Sequence, residues 1–266
     1  MSSNQTLAIS GGYFRFESEG GKNTLVSSSS GQTTVVETKS GGTLEEIQYK
    51  TTDPSINTDL KLQSSQKLVL TESKLQFGAE SDTLLIATTG AYDPSNVVAS
   101  ESQFNLGDGI NSLTFKGSVN EIAVVGGKDS DTIKIDGNAN QSSISLRGGG
   151  DNVVIQGKAT ETKISLGDGG DLMRIQGDVK QSSFTAGKGN DTLIFGGNIT
   201  DSTINLGGKT GGNDRIELST SGTFKGLHIV GANNGDILVI GSTQYNYSES
   251  SKAWENTTNP QDKLKF

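Results

Sequence analysis

The chain has 266 residues, a formal net charge of −8, no cysteine, 3 prolines and 36 glycines. Its 31% hydrophobic content disfavours a large globular α/β core, while the scarcity of proline and the lack of a long charge block disfavour disorder. An acidic chain is a poor partner for nucleic acid, and without cysteine it holds neither disulfides nor thiolate metal sites.

Residues 1–55 alternate Ser/Thr-rich stretches with YFRF, TLV and TVVE, and read as an N-terminal β cap or docking region. The opening MSSNQTLAISGGYF has neither the basic nor the apolar region of a cleaved secretory signal. No run approaches the ~18 apolar residues of a membrane span, so no membrane insertion is expected. DLKLQ and KLVLTES then look like degenerate early coils of a repeat that occupies residues 56–243.

That repeat is most regular from position 104 onward. Asn111, Asp131, Asp151, Asp171 and Asp191 are 20 apart, Asp214 follows after three inserted residues, and Asp236 after two more. Upstream, Asp82 falls in the same register. Before each acid lies a glycine-rich turn, as in LRGGGD, LGDGGD and AGKGND. Ahead of the turn, Phe104, Val124, Ile144, Ile164, Phe184 and Ile204 share one column; behind it, Leu113, Ile133, Val153, Met173 and Leu193 share another. Alternation with period 2 in both segments marks β-strands with one buried face. Gly117, Gly137, Gly157, Gly177 and Gly197 mark a second corner.

A fixed period this short predicts stacked coils. The expected fold is all-β, a right-handed parallel β-solenoid of about eight coils, ~35–40 Å long at one strand spacing per coil. Residues 244–266, with Tyr245, Tyr247, the sole Trp254 and Phe266, are expected to cap its end or dock a neighbour.

The turns AGKGNDTLIF and LGDGGDLMRI resemble the hemolysin-type calcium-binding repeats of RTX β-rolls, whose nonapeptide is G-G-x-G-x-D-x-U-x. The resemblance implies a right-handed parallel β-roll with Ca²⁺ held between successive turns by carboxylates and backbone carbonyls. Asp131, Asp151, Asp171, Asp191, Asp214 and Asp236 are then the candidate metal ligands, strongest between the coils of Asp151, Asp171 and Asp191. Asp168, outside the column, is an additional ligand or a solvent-facing acid. The chain departs from the family pattern in its 20-residue coil, its single motif turn per coil, and the Leu, Val or Ala at the first motif glycine. Lys128, Arg147 and Lys188 lie in or beside the turns and offer neutralisation without metal. The bland alternative is that the acids only cap backbone N–H groups in compact corners.

The only histidine, His228, lies on an expected strand with no ligand neighbours and reads as structural. No P-loop, hydrolase elbow or zinc motif is present. Outward columns such as Asn105, Ser145, Ser165, Thr185 and Asn205 read as a solvated sheet face, with ice binding as the alternative.

The reading preferred on these grounds is a non-enzymatic structural or adhesive protein in a surface assembly. A phage virion component (tail, fibre or head decoration), partnered by other subunits and by copies of itself, fits best. Alternatives are a signal-less secreted RTX-like cell-surface or S-layer protein, and an extracellular polysaccharide-acting enzyme or carbohydrate-binding module that meets cell-surface glycans. The expected location is the virion or the extracellular surface.

Overall fold

The computed structural model describes residues 57–266 except 65–66, 89–92 and 94–95, together with strands inside 7–51. Among the described residues the chain is β throughout, apart from one short 3₁₀ turn at Gly208–Thr210. It is a parallel β-solenoid. Ten strands stack in parallel in one sheet, from Thr33–Thr38 to Ile237–Ile240.

The register follows directly from the repeat. Ile133 lies beside Leu113 on one side and Val153 on the other, and Ile144 lies between Val124 and Ile164. A residue 20 positions on is therefore a spatial neighbour. In-phase apolar residues stack into continuous buried columns, and removing each from water stabilises the rod by about 1.5–3 kcal/mol. Leu113, Phe115, Ile133, Ile135, Val153 and Ile155 of the first sheet are fully buried against Phe104, Val124, Ile144 and Ile164 of the second. Phe104 meets Phe115 edge-on at 5.2 Å, and Phe184 meets Phe195 at 5.3 Å. In the coil holding the second pair, the leucine column carries Ala186, so smaller bulk accompanies the two rings.

The coil is more subdivided than the two strands read from the sequence. Its second side holds two short strands, for example Ala159–Thr160 and Lys163–Asp168. A single left-handed residue separates them. This bend residue is Glu72, Glu101, Glu121, Gln141, Glu161, Gln181 or Asp201 in successive coils, with φ between 48° and 54°. A non-glycine residue there bears a modest strain, and the hydrogen-bonded strands on either side hold it.

The two ends pair differently from the middle of the stack. The parallel ladder crosses residue 55: Gly42–Glu45 pairs with Leu68–Thr71, Ile47–Thr51 with Lys74–Gln76, and Lys22–Ser27 with Ile47–Thr51. Parallel pairing therefore continues from the 56–243 repeat into the span 1–55. Backbone pairing continues there because strand-to-strand hydrogen bonds do not need the strict 20-residue register. Among the described residues of this span, antiparallel pairing joins Leu7–Ser10 with Thr33–Thr38 and Phe14–Glu19 with Lys22–Ser27. Residues 1–6 lie outside the described residues. At the other end, Thr243–Ser248, Ala253–Asn256 and Lys263–Leu264 turn antiparallel onto Ile237–Ile240. Trp254 is buried there, edge-on to Tyr247 at 5.2 Å. This meander closes the core that the last coil would otherwise expose.

Candidate metal site

The glycine-rich turns stack so closely that at some glycines the backbone of the preceding turn leaves no room for a side chain. A Cβ on Gly169 would lie 1.4 Å from the Gly149 carbonyl oxygen, and one on Gly189 would lie 1.6 Å from that of Gly169. The acid that ends each turn is drawn inward by this packing. Asp82, Asp131, Asp151, Asp171, Asp191, Asp214 and Asp236 are all buried, none more than 3% exposed. Solvent therefore does not screen these acids from one another.

Hydrogen bonds explain half of each carboxylate. Oδ1 of every acid accepts the N–H of the column residue one coil earlier: Asp151 from Asp131 (2.7 Å), Asp171 from Asp151 (2.6 Å), Asp191 from Asp171 (2.8 Å), Asp214 from Asp191 (2.9 Å) and Asp236 from Asp214 (2.8 Å). The ladder starts where Asp82 accepts from Thr58, and it passes through Asn111, which accepts from Asp82. These buried N–H groups lie just before the chain enters the first sheet, so they need such an acceptor.

The other oxygen separates two classes. Oδ2 of Asp82 accepts from Gly78 N–H, that of Asp131 from Gly127 and that of Asp236 from Asn233. Oδ2 of Asp151, Asp171, Asp191 and Asp214 is buried with no partner. Burial raises all of these acids above the usual carboxylate range, and neighbouring acids add to the effect. Asp151 and Asp214 reach about 7, and Asp191 about 6.

Amides mark the two ends of the orphaned row. Asn111 Nδ2 donates to the carbonyls of Asp108 (3.3 Å) and Gly109 (3.0 Å) of its own turn, and to Asp131 Oδ1 at 2.9 Å. Asn233 Nδ2 donates to the Gly208 and Gly212 carbonyls of the preceding turn, both at 3.0 Å. At each end of the column, therefore, an amide donor meets carbonyls of a glycine-rich turn. Between those ends the column offers only carboxylates, which donate nothing unless protonated.

This arrangement fits a hard divalent cation. Among the described residues no three acidic, histidine or cysteine side chains gather as a closed cluster. Carboxylates in single file, one per coil, need backbone oxygens to complete a shell, and Ca²⁺ accepts mixed carboxylate and carbonyl sets of six to eight oxygens.

The remaining sequence candidates fall elsewhere. Asp168 lies outside the column, 62% exposed, and pairs with Lys188 at 2.7 Å. Lys128 pairs with Asp108 at 3.0 Å. The turn lysines therefore do not neutralise the buried acids, because they sit on the outer rim and find rim partners. His228 is an exposed member of the strand Phe224–Val230, paired beside Thr203.

A second buried polar column escaped the sequence reading. Ser73, Ser102, Ser142, Thr162, Ser182 and Ser202 follow the left-handed bend and are all buried. Ser142 Oγ accepts from Ile122 N–H (3.2 Å), Ser182 from Thr162 (3.1 Å) and Ser202 from Ser182 (3.0 Å). Each hydroxyl donates to the carbonyl two residues earlier, at 2.6–2.8 Å for these three. The signal was available: Ser102, Phe104 and Leu106 share one inward phase of the alternation.

No family model and no curated relative matches the chain. Among solved structures, one described as a hyperactive, Ca²⁺-dependent, β-helical antifreeze protein from an Antarctic bacterium superposes with a TM-score of 0.51. It is 17% identical and covers 80% of this chain and 72% of its own. The likeness supports the β-solenoid repeat.

Proposed function

We propose that this protein is a non-enzymatic structural rod whose coils are locked by calcium along one edge, in the manner of hemolysin-type repeats. The observation that carries this reading is the row of four orphaned buried oxygens on Asp151, Asp171, Asp191 and Asp214, set between two amide-filled ends. Those four carboxylates, with carbonyls of the glycine-rich turns, would hold the metal. Bound calcium supplies positive charge that keeps the buried acids ionised and ties adjacent coils together. Each coil backbone is pinned to the next by the Oδ1 ladder, so a bridge at this edge stiffens the whole stack. A stiff, end-closed rod suits a repeated place in a surface assembly, on a virion or a cell.

Equilibrium dialysis against Ca²⁺ with metal analysis tests this reading. More than one calcium per chain is expected, and fewer in Asp171→Asn. A metal-free protein at millimolar Ca²⁺ would refute it.

The likeness to an antifreeze protein gives a second reading, an ice-binding face. Ser143, Ser145, Ser165, Ser183, Thr185, Thr203 and Asn205 lie outward on one sheet, though Lys163 and His228 interrupt them. A thermal hysteresis assay decides it: a hysteresis gap supports this reading, and its absence removes it.

A further inference from the structure

One coil breaks the chemistry of the turns. The position four residues before the column acid is Gly107, Gly127, Gly167 or Gly187 in neighbouring coils, but Arg147 in the coil of Asp151. Arg147 takes a left-handed backbone, φ 71°, like Gly107 at 76°. The next position carries Asp108, Lys128, Asp168 or Lys188 in those coils, but Gly148 here. Glycine and charge have exchanged places.

The exchange has two consequences. On the rim, Lys128 pairs back to Asp108 at 3.0 Å and Lys188 pairs back to Asp168 at 2.7 Å, so the ion-pair ladder is interrupted at Gly148. A cleft of about 420 Å³ opens at the gap, floored by Gly127, Gly148 and Gly149 and walled by Lys128, Arg147 and Asp168. The Arg147 guanidinium has no hydrogen-bond or ion-pair partner among the described residues, and it acts on Asp108 only through space. With both lysine–aspartate pairs closed, Arg147 is the one cation of the cleft lining without an ion-pair partner among the described residues.

We propose that this cleft binds a carboxylated sugar unit of the uronic acid class. Guanidinium is the side chain best shaped to grip a carboxylate through two parallel N–H donors. Asp108 and Asp168 each commit Oδ2 to a lysine, and Asp168 leaves Oδ1 open to accept sugar hydroxyls. The volume falls in the range of small-ligand pockets, roughly 300–1,000 Å³. A strained, unpaired arginine beside a side-chain-free floor is the kind of local departure that marks a site. This inference does not rest on bound metal.

The test is an amide NMR titration of the full chain in excess Ca²⁺ with D-glucuronate, D-glucose and acetate as separate probes. Glucuronate is expected to shift the Gly148 and Gly149 amides saturably, with glucose and acetate at least about tenfold weaker. Arg147→Gly restores the residue of the neighbouring coils, so its spectrum should otherwise superpose, with glucuronate binding weakened about tenfold or more. No glucuronate shift at these amides, or equal binding by Arg147→Gly, would overturn the site. Acetate binding as tightly as glucuronate would overturn the saccharide assignment.

Discussion

Two corners of the coil carry buried polar columns, and they solve the same problem with different chemistry. At the left-handed bend, the hydroxyls of Ser142, Ser182 and Ser202 accept one N–H from the coil before and donate to a carbonyl of their own coil. Nothing is left over, and the column is neutral. At the glycine-rich turn, the acids accept an equivalent N–H but bring a second oxygen and a charge. Capping alone does not require an acid, since Asn111 holds the same place and accepts from Asp82 at 2.9 Å. The difference is that the second oxygen of Asp151, Asp171, Asp191 and Asp214 caps nothing, and the proposed cation is what would occupy it.

Substitutions that remove a cap should separate the two columns most strongly. Asp171→Ala deletes the acceptor of the Asp151 N–H and one carboxylate of the cation edge; in Ca²⁺ it should lose about 3 kcal/mol or more by denaturant unfolding. Ser182→Ala deletes the acceptor of Thr162 N–H and the donor to the Lys180 carbonyl but no carboxylate, and should lose about 1–2 kcal/mol, equally with and without Ca²⁺. Equal losses in Ca²⁺ would erase the proposed distinction.

Asp171→Asn sharpens the comparison by sign. It keeps an Oδ1 acceptor and replaces the orphaned oxygen with a donor, as Asn111 does. The midpoint of thermal unfolding should rise by a few degrees in EDTA and fall relative to wild type in Ca²⁺. A shift in the same direction under both conditions would contradict the assignment. The smallest effect belongs to the rim: Lys188→Ala breaks an exposed pair with Asp168 and should change stability by about 0.5 kcal/mol or less.

The sequence made the register legible because a stacked coil turns a period into a neighbour. Asp131, Asp151, Asp171 and Asp191 stand in one column for that reason alone. Burial of the column was not legible. It arises from turns packed so closely that Gly169 and Gly189 bar any side chain, which forces the following acid inward. Amphipathic alternation assigns acids to solvent and cannot foresee this. The serine column was hidden by its setting, since outward serines such as Ser143 and Ser145 flank inward Ser142 and make the stretch look uniformly polar. Pairing across residue 55 was not legible either, because backbone pairing outlasts the side-chain repeat.

Protonation offers the most direct test, because a proton and a cation satisfy the same orphaned oxygens. Without metal, the folded acids hold protons more tightly than the unfolded chain, with Asp151 and Asp214 at about 7 and Asp191 at about 6. The metal-free fold therefore binds more protons than the unfolded chain between about pH 4 and 7, and its stability falls as pH rises through that window. In the proposed function calcium competes with those protons, which would reverse the trend. The decisive measurement is thermal unfolding of the full chain in EDTA and in millimolar Ca²⁺, at about pH 4.5 and about pH 8. The account predicts a large rise in the midpoint with Ca²⁺ at the higher pH and little or none at the lower. A midpoint insensitive to Ca²⁺ at pH 8, or equally sensitive at both, would contradict it.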